Sequence, residues 1–245
     1  MAKTAGMGDA FFYGGNDVSG DINSFSNIGG GPAVGDGTDI TMSAVARLAL
    51  ERDGRMSFAS FFDPATAHPV LSALPTADVI MSYFRGKAIG NPAACMTGKQ
   101  PNYDGNRGAD GSLMFACDAI ANGSGLEWGV QLTPGLRVSA ATDFGLASVD
   151  TGGSLSFGAQ AYLQVAAFTG TSATIVVQDS ADNSSFLAVA GLSFTVTSAP
   201  QAQRLAIANI ATVRQFVRGA VSAGSFSSVT WALVVNKNSV AGQVF

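Results

Sequence analysis

Residues 173–197 read ATIVVQDSADNSSFLAVAGLSFTVT. Three apolar stretches of strand length, ATIVVQ, SFLAVAG and LSFTVT, are separated by a polar turn and by a glycine. Val, Ile, Thr and Phe dominate the stretches, as in a half-buried strand. The turn DSADNSS puts two aspartates and an asparagine between them. A calcium loop needs oxygen ligands at positions 1, 3 and 5, glycine at 6 and glutamate at 12. Counting from Asp179, Ala181, Ser184 and Ala190 stand at positions 3, 6 and 12, so that pattern fails. A hairpin loop is the better reading, because Asp and Asn tolerate left-handed backbone and bond their own chain. Convergence of Asp179, Asp182 and Asn183 on a metal at a sandwich rim is the alternative.

The same rhythm extends outward in both directions. AQAYLQVAAF, QRLAIA, RQFVRGAV and VTWALVVN are further apolar stretches, spaced by turn residues every 8–12 residues or so. That spacing predicts an antiparallel sandwich or small barrel. Trp231, Leu233 and Val235 share one face of the last strand by alternation. Composition shifts over 142–153, which divides the chain into an arm at 1–10, a β domain at 11–144 and a sandwich at 145–245. The expected fold is mainly β, two sandwich-like or barrel-like domains with one short helix in the first.

In the first half, DVSGDINSFS predicts a strand using Val18, Ile22 and Phe25, and Gly29–Gly31 followed by Pro32 predicts a loop. MSAVARLAL, Met42 to Leu50, predicts the helix, with Thr41 or Ser43 as its cap. RMSFASFFD alternates as a strand. Ala67 to Leu74 predicts a shorter helix or turn ended by Pro75. DVIMSYFRG and PAACMTGKQPNY read as strands, and 103–112 as a loop. SLMFACDAIANG alternates with Leu113, Phe115 and Cys117 on one face.

Charged residues make up 12% of the 245, about half of the roughly 25% usual for globular proteins. So little charge leaves a monomer's surface poorly covered and hints that much of it meets other subunits. Fifteen Asp/Glu against nine Lys/Arg lie in 1–150, and two against four in 151–245. No basic stripe is present, which argues against tight nucleic-acid binding. No apolar run reaches bilayer length, so no membrane partner is expected. The first residues lack the basic and apolar segments of a signal peptide. Cys95 and Cys117 make no disulfide framework and read as reduced, buried thiols.

No catalytic, cofactor-binding or metal-ligating residue is assigned. The single histidine, His68, stands before a proline and reads as a loop residue rather than half of a dyad. One histidine with two cysteines 22 residues apart builds no zinc site. Gln100 follows Gly98 and Lys99 where a phosphate loop needs Ser or Thr. Most aspartates adjoin Gly, Asn or Ser, as turn formers do, so no carboxylate pair for glycoside hydrolysis stands out.

DVSGDINSFS (17–26), TDIT (38–41), SAVARLALERDGRMSFASFFDP (43–64) and GADGSLMFACDAIANG (108–123) are similar to the tail tube, or major tail, proteins of long-tailed bacteriophages. Asp53 and Gly54, Ser57 and Phe58, and Phe62 and Asp63 carry that family's short strand motif. Residues 155–245 resemble C-terminal sandwich modules of phage virion proteins. The resemblance implies a non-enzymatic structural protein of the virion, assembled in the host cytoplasm. It implies a homo-oligomeric ring, hexameric in that family, contacts with neighbouring virion proteins, and DNA that passes through without specific binding. It also implies a long inter-subunit hairpin, for which 86–103 and 103–112 are candidates. The alternative is a capsid decoration or minor tail protein whose sandwich binds the head lattice or a host surface. A carbohydrate-active enzyme is a third, weaker reading.

Overall fold

The computed structural model describes residues 7–240. In chain order its strands are β1 (Ala10–Tyr13), β2 (Asn16–Asp17), β3 (Ile22–Asp36), β4 (Arg47–Phe61), β5 (Val79–Phe84), β6 (Pro92–Lys99), β7 (Asp104–Arg107), β8 (Leu113–Ala121) and β9 (Glu127–Gln131). There follow β10 (Arg137–Ser139), β11 (Val149–Asp150), β12 (Ala159–Ser180), β13 (Leu187–Val196), β14 (Gln201–Ile207) and β15 (Phe216–Lys237). One short helix, α1 (Ala67–Leu71), lies between β4 and β5. The protein is therefore mainly β, and the paired strands run antiparallel within one connected sheet.

That sheet folds into layers. The first runs in the order β3, β4, β8, β7. The second runs β9, β6, β5, β1, β2. Between them lies a core of Phe11, Met56, Phe58, Met81, Met96 and Cys117, closed at one end by Leu71 of α1. Phe11 meets Phe25 and Phe58 edge-on at 5.1 and 5.0 Å, a favoured aromatic geometry. The reverse face of the second layer buries Phe12, Phe84 and Cys95 against Tyr162 and Val234. Val234 and Val235 pair with Gln131 and Val130, so the ladder passes from β15 into β9 without a break.

β12 and β15 pair along almost their whole length, 22 residues each. Each contributes to both sheets of the C-terminal core, where Ile175, Phe194 and Val217 face Leu163, Trp231 and Leu233. The strands turn the corner between those sheets at register shifts around Gly170. Gly224 lies there with φ +142°, and a Cβ on it would stand 2.4 Å from the Ser172 carbonyl oxygen. Only glycine fits, as is common where a strand bends sharply.

Several expectations need correction. Met42 to Leu50 is not a helix: 47–50 belong to β4, and 42–46 are bends and irregular backbone after a turn at 40–41. Asp36 and Asp39 hold the hydroxyls and amides of Thr38 and Thr41, closing local turns that compete with helix. No packed face rewards a helix there either, since Met42, Val45, Leu48 and Leu50 are exposed. The expected loop at Gly29–Pro32 lies inside β3, paired with Arg55 to Arg52. Pro32 is tolerated because β3 is an edge strand. A Cβ on Gly30 would meet the Asp53 carbonyl oxygen at 2.4 Å, so glycine there serves close approach rather than a loop. Residues 104–107 form strand β7 instead of a loop, beside Tyr103, whose ring stacks on Phe115 at 4.1 Å. β1 falls in a stretch expected to be loose or glycine-rich, and the arm's residues 1–6 lie outside the described residues. The short helix at Ala67, the β8 alternation and the shared face of Trp231, Leu233 and Val235 are all present.

Candidate assembly surface

The β3, β4, β8, β7 layer has two unpaired margins. Among the described residues β3 is bonded only to β4, and β7 only to β8. Each presents a row of backbone N–H and C=O groups to the outside, a ready template for another strand. Each successive pair is antiparallel. Across four strands, β3 and β7 therefore run in opposite directions.

β3 and β4 also build a long arm. Each has 15 residues, or about 50 Å at the usual rise per residue. β4 pairs with β8 only from Arg55 to Phe61. From Asp53 to Arg47 its ladder partner is β3 alone, so the outer half is a two-stranded ribbon. A ribbon of that kind is marginal in water by itself. Val34, Ile40, Met42, Val45, Leu48 and Leu50, all exposed, give its end an apolar surface. β3 and β4 form the longest hairpin of the first half, whereas 86–103 and 103–112 hold only the shorter strands β6 and β7.

The layer's outer face is mixed, with Phe61, Met114 and Ile120 beside polar groups. By alternation it carries Asn27 of β3, Arg55 and Ser57 of β4, Asp118 of β8, and Asp104 and Asn106 of β7. Asn102 ties the two carboxylates together, donating to Asp104 at 2.8 Å and to Asp118 at 3.4 Å. Ser57 donates to the other oxygen of Asp118 at 2.5 Å. Two carboxylates and one guanidinium leave this part of the face mildly acidic.

No family model and no curated protein match the chain. Solved phage proteins overlay on it weakly. The Dit (gp 19.1) protein of SPP1, described as a paradigm of the hub adsorption apparatus in phages infecting Gram-positive hosts, covers 94% of this chain and 99% of its own at 9% identity, TM-score 0.34. A chain of the phage p2 baseplate in its activated conformation with Sr gives 94%, 98%, 9% and 0.34. The Ca form gives 95%, 99%, 8% and 0.28. Overlays of that size leave function to this chain's own geometry.

The residues singled out in the sequence are dispersed. Asp179 is buried and bound by Arg214, whose Nε and amide reach it at 2.9 and 2.8 Å. Asp182 accepts from Ser180, Ser184 and Ser185, bonds that hold its carboxyl well below the usual range. Asn183 accepts from Ser148. The three aspartate and asparagine side chains thus have separate partners. Among the described residues no three His, Cys, Asp or Glu side chains gather as a metal group would. His68 Nδ1 lies 3.2 Å from the Tyr103 hydroxyl, within rings of Phe62, Tyr103 and Phe115. Lys99 pairs with Asp78 at 2.7 Å. Cys95 and Cys117 belong to different cores and are free, and burial pushes both thiols up to about 12.

Sequence reasoning missed a buried polar seam between the halves of the chain. Glu127 of β9 accepts from Tyr162 of β12 at 2.5 Å and from Arg204 of β14 at 2.8 Å. Gln164 accepts from the Gly15 amide and donates to Ser82. These residues are far apart in sequence, and no local spacing marks them.

Proposed function

We propose that the chain is a non-catalytic structural protein of a phage tail, whose copies join head to tail into a ring. The carrying observation is the pair of free, oppositely directed edges, β3 and β7, on one sheet. A rotation that brings β7 of one copy beside β3 of the next continues the ladder in the antiparallel sense. A heterologous contact of this type closes into a ring when the rotation allows it. The ribbon of β3 and β4, with its apolar end, then reaches a further copy and stacks ring on ring into a tube. The sequence resemblance to tail tube proteins supports the same assembly and suggests six copies per ring. A wall bearing Asp104 and Asp118 beside Arg55 would repel phosphate weakly and let DNA slide.

Negative-stain electron microscopy of the concentrated protein tests the proposal. Stacked rings or tubes are expected. Single rings that never stack would restrict it to a terminal ring or hub. Monomers or trimers that bind heads would replace it with capsid decoration.

A further inference from the structure

Between the two layers of the first half, at the open β3 margin, lies a cleft of 540 Å³. Asp9, Phe11, Asn23, Ser24, Phe25 and Tyr83 are among its lining residues. Asp9 is already neutralised within the chain, paired with Arg85 at 2.9 Å and accepting from the Gly86 amide at 2.8 Å and from Tyr83. Asp17 and Asp21 flank the start of β3 nearby, held by Ser19 and Thr66. With Asp9 compensated by Arg85, the acidity at the mouth comes from Asp17 and Asp21, whose partners are uncharged.

The opposite margin offers one long side chain suited to it. Arg107 of β7 pairs with Leu113, and Gly105 with Phe115. Leu113 and Phe115 lie on the same face of β8 as Cys117, which points between the layers. Alternation therefore turns Gly105 and Arg107 toward the interlayer side, and Asp104 and Asn106 toward the outer face. Gly105 has no side chain to offer. Arg107 is exposed and has no hydrogen-bond or ion-pair partner among the described residues. The end of β7 that carries it lies level with the end of β4 and the start of β3. The cleft opens at that same end of the sheet.

Resting on the ring assembly proposed above, we propose that Arg107 of one copy seats at the mouth of the cleft of the next copy, against the polar side chains of Asn23 and Ser24 and facing the carboxylates of Asp17 and Asp21. The occupant is a second copy of this chain, chosen by complementary charge and by the side of the strand on which Arg107 stands. The contact sets the register of β7 on β3, because a slip along the edge would carry Arg107 past the cleft.

Sedimentation of wild type, Arg107→Glu, Asn23→Lys and the double variant, over a range of concentration and salt, tests this. Arg107 and Asn23 are exposed, so unchanged thermal midpoints confirm folding. Arg107→Glu is expected to raise the concentration for half-assembly by about tenfold or more, since like charges then meet. Asn23→Lys alone should also weaken assembly, and the double variant should recover it to within about threefold of wild type. If Arg107→Glu assembles as wild type does, the Arg107 contact is wrong while the ring stands. If the double variant shows no recovery, the pairing of these two sites is wrong. If wild type stays monomeric at every concentration, the ring and this contact both fall.

Discussion

Glu127 and Arg204 form an ion pair at 2.8 Å, with the Glu127 side chain wholly buried. Tyr162 donates to the second oxygen of the same carboxylate and also accepts from Arg204 Nε. Burial, and then the Glu127 charge, push the Tyr162 hydroxyl far above its usual range, so it remains a donor. One residue comes from the first half of the chain and two from the second. The seam therefore ties the layers as well as the ladder between β9 and β15 does. Removing one partner of a buried pair strands the other. Glu127→Ala is expected to lower unfolding free energy by about 3–5 kcal/mol in urea titrations. A loss under about 1 kcal/mol would show that the seam contributes little.

If the arm stacks rings as proposed, substitutions on it should separate folding from assembly. Ile40, Leu48 and Leu50 are exposed on it. Replacing each with Asp should leave thermal unfolding within about 0.5 kcal/mol of wild type, as for ordinary surface positions. Stacking of rings should nevertheless be lost in electron micrographs. Variants that stack normally would remove the arm from the inter-ring contact.

The end of the arm should respond to acid. Hydrogen bonds from the side chain and backbone of Thr38 hold Asp36 below its ordinary 3.8, and Thr41 does the same for Asp39. A depressed folded pKa contributes stability above the unfolded value and loses it as pH falls through the folded one. The turns should therefore stay ordered at pH 5 and loosen below about pH 4. Amide shifts of Thr38 and Thr41, followed by NMR, would report it. Movement complete at pH 5 would contradict the hydrogen bonds.

The corner of the C-terminal sandwich should not tolerate a methyl group. Gly224→Ala brings a Cβ to 2.4 Å from the Ser172 oxygen at φ +142°. Backbone strain of this kind costs on the order of 1–3 kcal/mol before the clash is counted. Chemical denaturation should show at least that loss, and a neutral result would place the bend elsewhere.

Much of the fold was legible where burial follows strand alternation. Leu113, Phe115 and Cys117 declared β8, and Trp231, Leu233 and Val235 declared the face of β15. The boundaries were less so. RQFVRGAV and VTWALVVN read as separate strands because SAGSFSS interrupts the apolar pattern, yet β15 runs through both. A bend between two packed sheets looks locally like a turn. The assembly surface was the least legible part. Met42 to Leu50 has helix-forming residues but no core to pack on, and its ladder to β3 decided the outcome. DGNR gave strand β7 against its own propensity, held by β8. Both elements belong to the margins, where this chain's own core constrains the pattern least.

Hydrogen exchange compared between the dispersed and the assembled protein tests the ring most directly. Both edges of one sheet should gain protection together, at 22–28 of β3 and 104–107 of β7, with β13 and β14 unchanged. Protection appearing at β13 or β14 while β3 and β7 exchange as before would contradict the account.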